Sequence, residues 1–262
     1  MRPSIGRPVQ RIARRLGFDI VRVAADAAAP DVPVDIGAEA VALFRRVQPY
    51  TLTSIERVVA LRDAVRYVVD AGVEGAVVEC GVWKGGSMLV VAETLLSLGV
   101  RDRDLYLFDT FTKMPPPDDV DVDAWGVAAA SVYDEAVDHP FYAFDQAEVR
   151  RLLAGTGYPE ERLHFVRGMV EDTIPDRAPD RIALCRLDTD WYASTSHELR
   201  HLVPRVPEGG VVLIDDYGHF AGSRKAVDEY LAEQGVAVLL HRIDYSGRLF
   251  VVSPALRARA GS

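Results

Sequence analysis

A chain of 262 residues, 49% hydrophobic and 26% charged, has the length and balance of one α/β domain with a well-developed core plus appendages. Its formal net charge of −9 argues against a nucleic-acid or anionic-membrane partner. Two cysteines, Cys80 and Cys185, are too few for a disulfide framework, and both fall at predicted strand ends, as free thiols do in a reducing cytoplasm.

Residues 1–24 carry six arginines against Asp19 alone, without the apolar stretch of a secretory signal, and no apolar run anywhere reaches the length of a membrane span. Residues 9–16 fit a short amphipathic helix, a surface or subunit contact more simply than a site for anionic lipid. Residues 27–37, with Pro30 and Pro33, read as a linker, so the folded domain is expected over 38–262. A helix over 38–47 is followed by Pro49-Tyr50-Thr51-Leu52-Thr53-Ser54 and a second helix to about residue 71. Thr53 and Glu56 have capping-box spacing, and Val58, Leu61, Val65 and Val68 form a core-facing stripe. The polar and aromatic residues 50–54 suit either a ligand contact or a plain capped turn.

The stretch 76–95 is the most informative. Ala76, Val77 and Val78 form a buried-strand run that ends in Glu79, and CGVWKGG at 80–86 places three glycines where the chain turns sharply and a ligand can approach its backbone. Ser87 is expected to cap the next helix, whose free N–H groups then face the turn. Many α/β proteins have such a turn; the acid before it is the sharper detail, because it would repel a pyrophosphate. Glu79 and the helix N-terminus together suit a ligand with both an ammonium and a carboxylate, such as the methionine end of S-adenosylmethionine (SAM).

A second strand, 104–108, ends in Asp109, 28 positions beyond Gly81, near where dinucleotide folds place the acid that holds ribose hydroxyls. Residues 111–150 break the α/β rhythm with three consecutive prolines, several aromatic residues and nine acids against two bases. The aromatic content favours a partly ordered lid insertion, whose acids either select a cationic or hydroxylated substrate or serve as solubilising charge. Strands follow at 163–168, with Glu171 and Asp172 beyond its tip where an adenine would lie, at 181–187 and at 210–214. Helices are expected through Leu202 and over 223–234, and 236–241 with 248–252 read as an antiparallel hairpin. The pattern is a doubly wound sheet with ligands at the carboxyl ends of its strands.

Asp188, Asp190, Asp215 and Asp216 follow two adjacent apolar strands, so the fold brings them to the same edge as the glycine turn. Several carboxylates in one cleft need a compensating cation, and oxygen ligands without nearby His or Cys suit Mg²⁺. Asp215 and Asp216 can share a metal only if the strand has already ended, because successive strand side chains point apart. A metal that lowers the pKa of a hydroxyl, beside a carboxylate that takes its proton, is the chemistry of methyl transfer to oxygen.

ECGVWKGGS at 79–87, RLDTDWY at 186–192, IDDYGH at 214–219 and SRKAVDEY at 223–230 closely resemble the macrocin/mycinamicin O-methyltransferase family, over roughly residues 40–252. The resemblance implies a Rossmann-like class I methyltransferase fold, a mostly parallel seven-stranded sheet with helices on both faces, a helical N-terminal extension and a lid. It implies Mg²⁺ at Asp188, Asp215 and Asp216, with Asp190 as candidate general base; His219 is a rival base that fits a packing or supporting place beside the site better. It further implies SAM contacts at Tyr50, Thr51, Ser54, Glu79, Gly81, Ser87, Asp109, Glu171 and Asp172. The expected substrate is a sugar hydroxyl of a glycosylated secondary metabolite, a macrolide or similar antibiotic, and the expected assembly is a homodimer or larger. Arg186 and Lys84 are candidate structural partners for the acids. A catechol or phenol O-methyltransferase uses the same parts. A metal-dependent hydrolase would leave Glu79 and Asp109 idle, and a non-catalytic SAM-binding scaffold would leave the aspartates so.

Overall fold

The computed structural model describes residues 33–131, 133 and 144–260. The expected basic helix at 9–16, most of the linker and residues 134–143 of the insertion, including Phe141 and Tyr142, lie outside the described residues. Residues 1–38 and 39–262 are two units; the first contributes the turn at 33–37 and Ala38 to the description, and the second holds the fold.

Seven strands form one sheet: β1 (Ala76–Cys80), β2 (Leu105–Asp109), β3 (Leu163–Arg167), β4 (Ile182–Leu187), β5 (Val211–Ile214), β6 (His241–Arg242) and β7 (Arg248–Val251). Their order is β3-β2-β1-β4-β5-β7-β6. The first five are parallel, and β7 runs antiparallel between β5 and β6. The helices are α1 (Ala38–Val47), α2 (Ile55–Asp70), α3 (Gly86–Ser97), α4 (Gln146–Ala154), α5 (Val170–Thr173), α6 (Tyr192–Leu202), α7 (Ala221–Gln234) and α8 (Pro254–Ala260). No helix among the described residues is long and apolar enough to cross a membrane.

Strand side chains alternate between two cores, the reason these strands read as unbroken apolar runs. Val77, Leu105, Leu107, Leu184, Val211 and Leu213 pack with the stripe of α2 (Val58, Leu61, Val65, Val68) and with α3. Val78, Cys80, Phe108, Cys185, Leu187, Val212 and Ile214 pack on the other face with Leu199 and Leu202 of α6 and Val227 of α7.

Several local expectations change. The cap of α2 is Ser54, which accepts from the Arg57 N–H at 3.2 Å; Thr53 instead pairs with Thr51 at 3.0 Å. Gly85, at φ +84°, occupies the N-cap of α3, because the turn needs a left-handed residue there, and Ser87 falls inside the first turn. Cys185 lies in mid-strand rather than at a strand end, and both cysteines are buried free thiols. The strand expected over 236–241 shrinks to β6, whose pairing with β7 begins only at His241. Part of the irregular insertion is helical: α4 is capped by Asp145, which accepts from the Ala147 N–H at 3.0 Å.

The parallel ladder continues one residue past the strand tips. Asp188 N–H donates to the Cys80 carbonyl and Asp215 N–H to Leu187, both at 2.9 Å, which fixes the tip loops against each other. Gly81 (φ +81°) sits at this junction, where a Cβ would run into the Asp188 carbonyl. Gly81→Ala is expected to destabilise the protein by about 2 kcal/mol or more, through strained backbone and displacement of the Asp188 loop. Thermal unfolding checks this as a drop in Tm of roughly 4 °C or more relative to wild type.

Candidate active site

A cavity of about 400 Å³, within the range of small-molecule sites, opens at the carboxyl edge of the sheet. The glycine turn supplies Gly81, Val82 and Trp83 to its wall, and α3 supplies Gly86 and Ser87. The segment before α2 lies across it with Tyr50, Thr51, Leu52 and Thr53. Gly86 permits that crossing, since a Cβ would collide with the Tyr50 carbonyl. Asp109, Glu171, Asp188, Asp190, Asp215, Asp216 and His219 complete the polar wall.

Three sites read from sequence fall outside the wall. Ser54 faces away, since capping α2 aims its hydroxyl at Asp244, to which it donates at 2.8 Å. Asp172 is exposed in the single turn of α5, while its neighbour Glu171 faces the cavity. Glu79 lies beneath the wall, 2% exposed, because the Arg186 guanidinium and the Ser87 side chain hold its carboxyl inside. Burial pushes Glu79 up to about 7, against the pull of Arg186, and its Oε2 has no partner.

Asp109 lines the cavity while serving the turn: it accepts from the N–H groups of Val82 (2.6 Å), Trp83 (3.1 Å) and Phe111 (2.7 Å). Glu171 keeps a buried Oε2 without a partner.

The aspartates do converge. Strand β5 ends at Ile214, so Asp215 and Asp216 leave the pleat and both turn inward. One carboxylate oxygen each from Asp188, Asp215 and Asp216 lies within 4.8 Å of the others, and the Asp190 carboxyl lies against that of Asp216. Asp190 reaches this position through a left-handed backbone (φ +65°). Burial first, then the Asp188 charge, pushes Asp190 up to about 7. Burial likewise raises Asp188 and Asp216, the former partly held back by Arg186.

Arg186 is the hub beneath them. Its Nη1 donates to Glu79 Oε1 and to Asp188 Oδ2, both at 2.7 Å, and its Nη2 to Asp215 Oδ1 at 2.6 Å. Arg57 pairs with the second oxygen of Asp215, and its Nε lies 3.0 Å from Asp244. Arg57 escaped the sequence reading, yet it stands four residues before Leu61, on the buried stripe of α2, where a charge is conspicuous. Lys84 lies over the Trp83 and Phe144 rings, 4.6 and 4.8 Å from their centroids.

His219 is packed among aromatic rings, Phe220 at 4.4 Å, Trp125 at 5.3 Å and Tyr245 at 5.9 Å, and burial lowers its pKa. Two acids of the insertion are structural. Asp121, fully buried, accepts from the N–H groups of Asp118 (2.8 Å) and Tyr192 (2.9 Å), and Asp123 accepts from those of Trp125 and Val127.

The sequence model of the macrocin O-methyltransferase family (TylF) matches residues 8–251. Demethyldecarbamoylnovobiocin O-methyltransferase of Streptomyces niveus is 34% identical over 198 residues, 76% of this chain and 74% of that protein. Mycinamicin III 3″-O-methyltransferase of Micromonospora griseorubida is 33% identical over 198 residues, 76% of each chain. The structure of the O-methyltransferase NovP superposes with a TM-score of 0.69 at 32% identity, covering 78% of this chain and 82% of that one. The chain therefore belongs to the macrocin O-methyltransferase family and is a SAM-dependent O-methyltransferase.

The buried ion-pair cluster gives a direct test. Arg186→Met leaves Glu79, Asp188 and Asp215 without their shared cation and is expected to cost about 3–5 kcal/mol. Arg186→Lys is expected to recover only part of this, since an ammonium cannot reproduce the guanidinium fork. Urea unfolding of the three proteins measures both.

Proposed function

We propose that this family member transfers the methyl group of SAM to a sugar hydroxyl of a glycosylated secondary metabolite, with a divalent cation, Mg²⁺, at the aspartate cluster. The observation that carries this reading is the meeting of four aspartates with the glycine turn in one cavity. The names of the relatives, O-methyltransferases of demethyldecarbamoylnovobiocin and of mycinamicin III, support a natural-product acceptor.

The residues present fit a cation. Around the cluster, two guanidinium groups, Arg57 and Arg186, face Glu79, Asp188, Asp190, Asp215, Asp216 and Asp244, an excess of buried negative charge. Asp190 and Asp216 lie against each other, and burial beside like charges raises both, the arrangement a bound cation would relieve. Asp188 and Asp216 offer oxygens outside the guanidinium pairs, and Asp215 would share its oxygens between the ion and its two arginines. When bound, the ion would acidify and orient the acceptor hydroxyl.

The residues also fit SAM. The start of α3 would present the free N–H groups of a helix N-terminus to the methionine carboxylate, with Gly86 and Ser87 in the cavity wall. Glu79 acts from behind Ser87, adding negative potential for the ammonium rather than direct contact. Asp109 retains acceptor capacity for a ribose hydroxyl, and the unpartnered Glu171 Oε2 suits an adenine amino donor. Tyr50 and Thr51, in the cavity wall, would lie over the bound cofactor.

Asp190, the carboxylate of the cluster outside the three-aspartate ligand set, takes the proton from the acceptor hydroxyl. SAM would supply the methyl carbon that the hydroxyl oxygen attacks, and its sulfur would leave with the electrons of the C–S bond. Much of the acceleration lies in holding the two reactants in line. His219, packed edge-on between aromatic rings, shapes the acceptor side of the cavity.

Asp188→Asn is expected to bind SAM with wild-type affinity in calorimetry while losing about 100-fold or more of its Mg²⁺-dependent turnover. Full activity of that variant, or of wild type in chelator, would remove the metal from the reading. Absence of heat on titrating SAM, with or without Mg²⁺, would remove the cofactor site. Mass spectrometry of a glycoside panel, scored for the gain of one methylene, tests the acceptor class.

A further inference from the structure

Glu198 is the least comfortable acid in the described structure. It is fully buried on α6, takes no part in the cavity wall and has no basic side chain hydrogen-bonded or ion-paired to it among the described residues. Its position continues the buried face of α6, three residues after Thr195, one before Leu199 and four before Leu202, where a charged side chain has no packing reason to be. What it does touch is specific. Its Oε1 accepts from the Thr189 hydroxyl at 2.9 Å, the Cys80 thiol lies beside the same carboxyl group, and its Oε2 is buried without a hydrogen-bond partner.

Those two contacts belong to the two loops that build the site. Thr189 separates Asp188 from Asp190, and Cys80 separates Glu79 from Gly81. Glu79 and Arg186 lie on the α2–α3 side of the sheet edge, alternating with Cys80, which packs toward α6. The Arg186 cluster therefore anchors the loops from one side only. We propose that Glu198 is a positioning residue that anchors them from the other, fixing the Asp188–Asp190 loop through Thr189 so that the aspartate cluster keeps the spacing a divalent cation needs. The Thr189 carbonyl is held as well, by the Trp191 N–H at 2.7 Å and the Ser194 hydroxyl at 3.3 Å, so its side chain is the remaining freedom of that residue.

This inference rests on the reading of the aspartates as a cation site, and the test separates the two. Mn²⁺ serves as a spectroscopic substitute, its binding measured by electron paramagnetic resonance on purified full-length protein, with SAM affinity by calorimetry and Tm alongside. Partners that orient metal ligands typically account for about 10–100-fold in affinity. Thr189→Val and Glu198→Ala are thus expected to weaken Mn²⁺ binding about 10-fold or more, while Thr189→Ser and Glu198→Gln, which restore the hydroxyl and the acceptor, return it to within about 3-fold of wild type. If Glu198→Ala does not fold, the Thr189 pair carries the test alone. Folded Thr189→Val with wild-type Mn²⁺ affinity, or with only a lowered Tm, would overturn the positioning role while leaving the cation site intact. Wild-type protein that binds no Mn²⁺ would overturn both.

Discussion

The site depends on one buried cation. Arg186, in the middle of the sheet and 4% exposed, hydrogen-bonds acids from the ends of β1, β4 and β5 at once. A hydrophobic residue in its place would pack at lower desolvation cost, so net stabilisation is a weak account of it. Its geometry is the better one. A planar guanidinium has donors in fixed directions, and three carboxylates that must satisfy one such group lose their freedom to splay apart. Arg57 extends the restraint to α2 and, through Asp244, to the turn between β6 and β7.

The alternation of side chains along the central strands gives the sheet edge two chemically different sides. Toward α2 and α3 lie Glu79, Arg186 and Arg57, an ion-pair lattice beneath the glycine turn. Toward α6 lie Cys80 and Glu198, set side by side within hydrocarbon, where burial pushes both thiols and the acid upward. The loops after β1 and β4 are held between these sides and tied to each other by the Asp188-to-Cys80 backbone bond. Rigid placement of this kind is what a reaction limited by alignment of two bound partners requires.

The insertion after β2 is organised by some of the acids that make it look like a solvated spacer. Asp121 closes a turn and caps the first N–H of α6, while Asp123 closes the next turn and pairs its backbone with Phe220. Trp191 adds an indole hydrogen bond to the Pro115 carbonyl at 2.9 Å. The described part of the segment is thereby fastened to the elements that carry the aspartate cluster, and it presents Met114 and Pro115 to the cavity.

Much of this was written in local sequence. Strands buried on both faces betray themselves as apolar runs, and residues that end such runs must collect at one edge, so the glycine turn, Asp109 and the four aspartates were legible before any coordinates. Five β-α units with a closing hairpin gave the sheet for the same reason. Side-chain direction and partner choice were not legible, because they depend on which strands become neighbours and which face each residue takes. Glu79 reads as a cavity residue until Arg186, arriving from β4, draws it inside. Ser54 reads as a ligand contact until the cap of α2 claims it, and Ser87 as a cap until Gly85 takes that place. Arg57 and Glu198 were visible only as charges on buried helix faces, since their partners lie 158 and 9 positions away on other elements. Sequence determined which chemistry meets at the sheet edge; tertiary contact alone decided which groups face the cavity and which hold them there, because burial and pairing are properties of neighbours in space.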